Sequence, residues 1–232
     1  MPTLIRSFSN HIFHNDLIHD NDKILLAVSG GIDSLVMAHL FAHYQKKSSR
    51  NIKLQAAHID IQQVSIGPGK LEQLREFFEG LGIDLQIIFA RVDPERKYNC
   101  YSCSKERRKQ LFTYYDKNDF SAIAFGHHRD DLIETGFMNL INHGNLETLK
   151  SLDLMFDGVI KVIRPLLAAP KKNIRHYANQ KEIKVINKNE CRYGLNSKRS
   201  EVRKYIRQIS QDNKAFKKNL YSAILEYNDR EY

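Results

Sequence analysis

The sequence predicts an α/β protein with a doubly wound, mainly parallel sheet and a helical, basic C-terminal tail. Three observations predict it. Short apolar runs alternate with stretches of helical spacing along the first 140 residues. Each run ends in polar or glycine punctuation, as a buried strand does. After about Gly194 the chain turns basic and less apolar. These shifts divide the chain into a helical segment over 1–22, an α/β domain over 23–194 and a tail over 195–232.

Leu25 to Val28 form the first strand, and a helix with Leu35, Ala38, His39 and Ala42 on its spacing runs to Lys46. Ser29 to Ser34 must then turn the strand into the helix. NIKLQAAHID, DLQIIFARV and FSAIAFGHH read as further strands. Helices over Lys70 to Glu79, Lys105 to Asp116 and Asp131 to Leu140 separate or follow them. Strand, helix, strand in repetition implies parallel strands joined by crossovers. Ligands in such folds bind beyond the carboxyl ends of the strands. Ser29-Gly30-Gly31, His58-Ile59-Asp60 and Gly126-His127-His128 all fall at those ends and should converge on one site.

Composition sets the outer limits. The chain has 232 residues, 42% hydrophobic and 27% charged, enough for a substantial core. No apolar run approaches the roughly 20 residues of a membrane helix, and the N-terminus lacks a long apolar segment of the secretory kind. A cytoplasmic protein without membrane contact is therefore expected. Lysine and arginine exceed the acids by 36 to 27, a net charge of +9. The excess clusters between Lys198 and Lys218, which points to a polyanionic partner such as RNA.

The turn after the first strand carries the chemistry. A strand-to-helix turn directs backbone N–H groups outward at the positive end of the helix dipole, which favours phosphate. The nucleotide loop of kinases and GTPases, G-x-x-x-x-G-K-[ST], is absent, as is the dinucleotide pattern G-x-G-x-x-G. SGGIDS resembles instead the PP-loop of ATP pyrophosphatases. By that resemblance the backbone of Ser29, Gly30 and Gly31 cradles pyrophosphate, Ser34 contacts a phosphate oxygen and Asp33 helps to hold Mg²⁺. Oriented amides and a metal are what a strongly anionic leaving group needs.

GHHRDDLIET, residues 126 to 135, resembles a segment shared by tRNA lysidine synthases and tRNA 2-thiocytidine synthases. One of Asp130 and Asp131 can cap the following helix. The other can face the nucleotide, a role given to Asp130 together with His58 and Gly126.

The three cysteines are Cys100, Cys103 and Cys191. A C-x-x-C pair with one distant thiol is compatible with buried structural thiols, with zinc completed by a histidine, or with a [4Fe-4S] cluster that leaves one iron open. CYSCSKERRKQLF and ETGFMNLINHGNLETLKSLDLMFDGVIKVIRPL resemble the 2-thiocytidine synthases, whose cluster has three cysteine ligands. The chain is identified as a short member of that family over roughly residues 20 to 205. The resemblance implies an ATP-dependent tRNA sulfurtransferase. ATP adenylates O2 of a cytidine, pyrophosphate leaves, and sulfur replaces AMP with the help of a [4Fe-4S] cluster on Cys100, Cys103 and Cys191.

It also implies Asp33 and Cys191 as catalytic residues, and an RNA face built from Arg107, Arg108, Lys109, Arg203, Lys204 and Arg207. Its partners would be tRNA and a sulfur donor fed by a cysteine desulfurase, and its assembly a homodimer. Two departures stand out: Ile32 occupies a position where the family often has lysine, and KNECRYG offers one cysteine where the family has P-C-x-x-C-G. Two other readings stay open: an amide-forming ligase of the lysidine-synthase kind, and a zinc-stabilised RNA-binding module without catalysis.

Overall fold

A computed structural model describes residues 3–92, 99–187 and 198–230. Six strands form one sheet in the order β3-β2-β1-β4-β6-β5. β1 (Lys23–Ala27), β2 (Lys53–Ile61), β3 (Asp84–Ala90), β4 (Ala122–Phe125) and β6 (Ile160–Ile163) are parallel. β5 (Leu152–Met155) pairs antiparallel with β6 at one edge. β1 is central, and its Ile24 to Ala27 are buried on both faces. That is why it reads as a continuous apolar run and not as an alternation.

Helices cover both faces. On one side α1 (Leu4–His14), α2 (Ile32–Lys47), α3 (Pro68–Leu81) and α6 (Lys171–Gln180) enclose a core around Phe8, Phe41, Phe78 and Ile174. α1 contributes Leu4, Phe8 and Ile12, one per turn, and Thr3 caps it by accepting the Arg6 amide at 3.4 Å. On the other side α4 (Cys100–Lys117) packs Leu111 and Tyr115 against Ile59, Ile61, Ile123 and Val162. A third cluster joins α5 (Arg129–His143), α7 (Lys198–Asp212) and α8 (Phe216–Arg230) through Leu132, Ile133, Val202, Ile206 and Ile224. Among the described residues no helix is long and apolar enough to cross a membrane.

Several boundaries differ from the sequence expectation. α2 begins at Ile32, so Asp33 and Ser34 stand in its first turn and not in a loop. α4 begins at Cys100, so both cysteines lie inside the helix and not before it. The cause is a capping box: Asn99 Oδ1 accepts the Ser102 amide at 2.9 Å, and Ser102 Oγ accepts the Asn99 amide at 3.0 Å. β5 and β6 form a hairpin beyond the strands that the sequence pattern predicts.

Candidate functional site

The register of the sheet builds the site. Ala27 lies level with Ala57 on β2 and Phe125 on β4, so Val28, His58 and Gly126 follow side by side at the carboxyl edge. The three polar segments expected to converge do so.

The loop after β1 is held from one side. Gly30 has φ +78°, a left-handed conformation that glycine adopts without steric cost. Its carbonyl accepts the amides of Ile186 and Asn187 at 3.2 and 2.9 Å, and Asn187 Nδ2 donates to the Ser29 carbonyl at 3.2 Å. Two serines brace the interior: Gly31 N–H donates to Ser29 Oγ at 3.2 Å, and Ser34 Oγ donates to the Gly31 carbonyl at 2.9 Å. Gly31 is the N-cap of α2 and supplies no side-chain cap, which leaves the first turn of that helix suited to an anion. Ile32 packs against the core beneath the loop.

Gly126 is required by contact. A Cβ there would meet the Asp33 carbonyl and the Ser34 amide nitrogen at 3.1 Å, so the end of β4 and the start of α2 touch through backbone.

Asp33 is half-buried, and the Lys171 ammonium hydrogen-bonds both of its carboxylate oxygens. His128 Nε2 lies 3.6 Å from Asp33 Oδ1. The cap of α5 is His128, not an aspartate: its Nδ1 accepts the Asp131 amide at 3.3 Å, while Asp131 Oδ2 accepts the His128 amide at 3.0 Å. Asp131 completes that box. Asp130 instead accepts the Lys171 amide at 2.9 Å and the Lys217 ammonium at 3.1 Å, tying α5 to α6 and α8. Burial alone would raise the Asp130 carboxyl, but these donors hold it below its usual pKa.

His58 is 2% exposed and bonds Val28 through Nδ1 at 2.8 Å. A carbonyl only accepts, so Nδ1 carries the proton. Nε2 is then a buried acceptor with no partner among the described residues. Burial lowers its pKa, the Val28 bond opposes that, and the Arg107 charge lowers it further. The ring is therefore neutral at pH 7. Arg107 is turned in towards the sheet, its Nε buried and without a partner among the described residues, and so parts company with its exposed neighbours Arg108 and Lys109.

Cys100 and Cys103 stand three residues apart in the first turn of α4, on one face of the helix. Cys103 is buried in the cluster that holds Ala27, Ala57 and Ile59. α4 follows the carboxyl end of β3, and the charge of Arg107, one turn beyond Cys103, acts on His58 at the carboxyl edge of β2, so the first turn of α4 lies at the same edge of the sheet as the loop. Cys191 lies outside the described residues. Two thiols at helical spacing are soft donors that fit iron–sulfur ligation, with the further ligand to come from elsewhere. No group of three or more His, Cys, Asp or Glu able to hold a metal is found among the described residues.

In the tail, Arg203 is paired: Nε donates to Glu134 Oε1 at 2.8 Å, which raises its pKa, and Asp131 lies 3.9 Å away. Lys204 and Arg207 are exposed on α7. Lys171 and Asn187 join the site without any motif in the sequence that marks them.

The PP-loop domain family matches residues 3–211. The tRNA-cytidine(32) 2-sulfurtransferase 1 of Francisella tularensis subsp. tularensis is 31% identical over 229 residues, 95% of this chain and 84% of the relative. The tRNA-cytidine(32) 2-sulfurtransferase of Shewanella baltica is 34% identical over 209 residues, 88% and 67% of the two chains. Among solved structures, the U34-tRNA thiolase NcsA from Methanococcus maripaludis with its [4Fe-4S] cluster superposes with a TM-score of 0.80 at 25% identity, over 96% of this chain and 77% of that one. The chain belongs to the tRNA-cytidine 2-sulfurtransferase family of PP-loop proteins.

Proposed function

We propose that the protein is an ATP-dependent tRNA sulfurtransferase that replaces O2 of a cytidine with sulfur. The observation that carries this reading is the shared carboxyl edge of the sheet: the loop from Ser29 to Ser34 leaves β1 there, and the first turn of α4, with Cys100 and Cys103, starts there on the opposite face. Activation by ATP and delivery of sulfur must meet at one base. The similarity to tRNA-cytidine(32) 2-sulfurtransferases supplies the substrate class.

The loop's part is to bind and orient. The first turn of α2, its dipole and the hydroxyls of Ser29 and Ser34 stabilise charge that develops as pyrophosphate leaves. Asp33 is the carboxylate available to Mg²⁺. A [4Fe-4S] cluster, with Cys100, Cys103 and Cys191 as ligands, would supply a site for activated sulfur. Neutral His58, protonated on Nδ1, keeps a proton acceptor in Nε2 at the carboxyl edge. The sulfur reaches the enzyme from a donor fed by a cysteine desulfurase.

The test is direct. Protein purified anaerobically with its iron should convert ATP to AMP and pyrophosphate only with tRNA and a sulfur source, and should yield 2-thiocytidine on nuclease digestion. Asp33→Asn should keep the fold and lose pyrophosphate release. Lysine incorporation into tRNA, or zinc with no nucleotide turnover, would overturn this reading.

A further inference from the structure

The loop from Ser29 to Ser34 has no basic residue, and the side chain of Ile32 is spent on the core. A triphosphate seated there beside the Asp33 carboxylate would have a helix dipole but no side-chain cation within the loop. A cation is nonetheless present, delivered from another element.

Lys171 is the first residue of α6, and its ammonium spans Asp33 on the first turn of α2. Its backbone is fixed on two sides. Pro170, the N-cap of α6, offers no side-chain cap, and Asp130 Oδ2 takes that place by accepting the Lys171 amide at 2.9 Å. One residue upstream of the cap, the Ala169 carbonyl accepts the Arg129 amide at 3.0 Å. The start of α6 is therefore clamped to the start of α5, which in turn touches the loop through His128, 3.6 Å from Asp33. The lysine stem sets out from a rigid point towards the phosphate loop.

The setting is that of a working group and not of a sealed structural pair. The Lys171 and Asp33 side chains keep 26% and 27% of their exposure. A partly exposed pair of this kind contributes little to stability. A lysine is a compact charge on a flexible stem and can exchange one anionic partner for another without moving the backbone.

We infer that Lys171 is a nucleotide-binding residue that takes the β- and γ-phosphates of ATP, and the pyrophosphate formed from them, at the loop. In binding, its ammonium exchanges the Asp33 carboxylate for phosphate oxygens. Lys171 thus provides from α6 the positive charge that the loop does not carry. The inference rests on the nucleotide reading proposed above.

The experiment compares the affinities of the iron-loaded protein for ATP, pyrophosphate and AMP by calorimetry, without tRNA. Lys171→Met should weaken ATP and pyrophosphate by about tenfold or more, ~1.4 kcal/mol, and leave AMP within about twofold. Lys171→Arg should keep most of the ATP affinity, since it retains the charge, and Lys172→Met, one residue on and exposed, should match wild type. Equal ATP affinity in Lys171→Met and wild type overturns the inference alone. So does an equal loss for ATP and AMP, which would make Lys171 a structural clamp. Wild-type protein that does not bind ATP overturns both this inference and the nucleotide reading.

Discussion

The Cα of Gly126 rests on the backbone of Asp33: any Cβ at 126 would sit 3.1 Å from the Asp33 carbonyl carbon and oxygen. The neighbour is main chain at the start of a helix and cannot rotate away. Gly126→Ala should therefore push the first turn of α2 off the loop. Overpacking of this kind costs about 1–3 kcal/mol, to be read from a denaturant titration. ATP affinity should fall by more than stability alone explains, because the displaced turn carries the phosphate site. An alanine variant with wild-type ATP affinity would show that the loop tolerates the shift.

The positive charge should bind RNA by position and not by sum. Arg108 and Lys109 line a groove of about 550 Å³ between α4 and the β5–β6 hairpin, with Lys105, Phe112 and Phe156. Lys204 and Arg207 are exposed on α7, whereas Arg203 is committed to Glu134. Replacing Arg108, Lys109, Lys204 and Arg207 by glutamate should weaken tRNA binding and flatten its salt dependence, by roughly 0.7–0.9 in log–log slope for each phosphate that is no longer neutralised. ATP affinity should hold. Arg203→Ala should change that slope little and should instead lower thermal stability, because it strips the 11%-exposed Glu134 carboxylate of its partner.

The centre of the sheet is legible because β1, β4 and the second half of β2 are buried on both faces. Ile24 to Ala27 leave no other reading than a core strand. The convergence of Val28, His58 and Gly126 follows from parallel topology alone. The helix starts are less legible. Asn99-x-x-Ser102 holds a usable signal for α4, and Asp157-Gly158, both at positive φ, marks the tight turn between β5 and β6. A histidine cap at His128 follows no strong preference, so Asp130 and Asp131 attract the capping role. Lys171 cannot be read at all. Its contact with Asp33 spans 138 residues and depends on how α6 docks on α2, with its start tied to that of α5. Arg107 and Arg108 are adjacent in sequence, and only the rotation of α4 sends one inward and the other to the surface.

Acid should destabilise the fold before its carboxylates titrate. Burial lowers the His127 pKa to about 4, from an ordinary value of 6.5. Burial also lowers His58, His11 and His39. These rings are neutral in the folded protein and bind protons more readily once unfolded. Stability from His127 is therefore complete above about pH 6.5, is lost as pH falls, and levels off near pH 4. The loss should be on the order of 2–3 kcal/mol between those limits. His127→Gln should reduce the slope of stability against pH across that window. An unchanged slope would mean that the ring is solvated.

The last prediction concerns the third thiol. Cys100 and Cys103 supply two donors from one turn of α4, and a cubane held by that pair alone would leave two irons without thiolate. Cys191 is the remaining cysteine of the chain. If it is the third ligand, Cys191→Ser should lose iron as completely as Cys100→Ser and Cys103→Ser after anaerobic reconstitution, and thiolation should be lost with it. ATP binding should persist in all three, because the loop is held by Asn187, Ser29 and Ser34 and not by the thiols. The competing role is a free thiol that carries sulfur as a persulfide, favoured where a cysteine is accessible and ionised. It predicts full iron in Cys191→Ser with activity gone. Iron per chain in the three variants decides between them, and normal iron in Cys191→Ser would remove that residue from the ligand set.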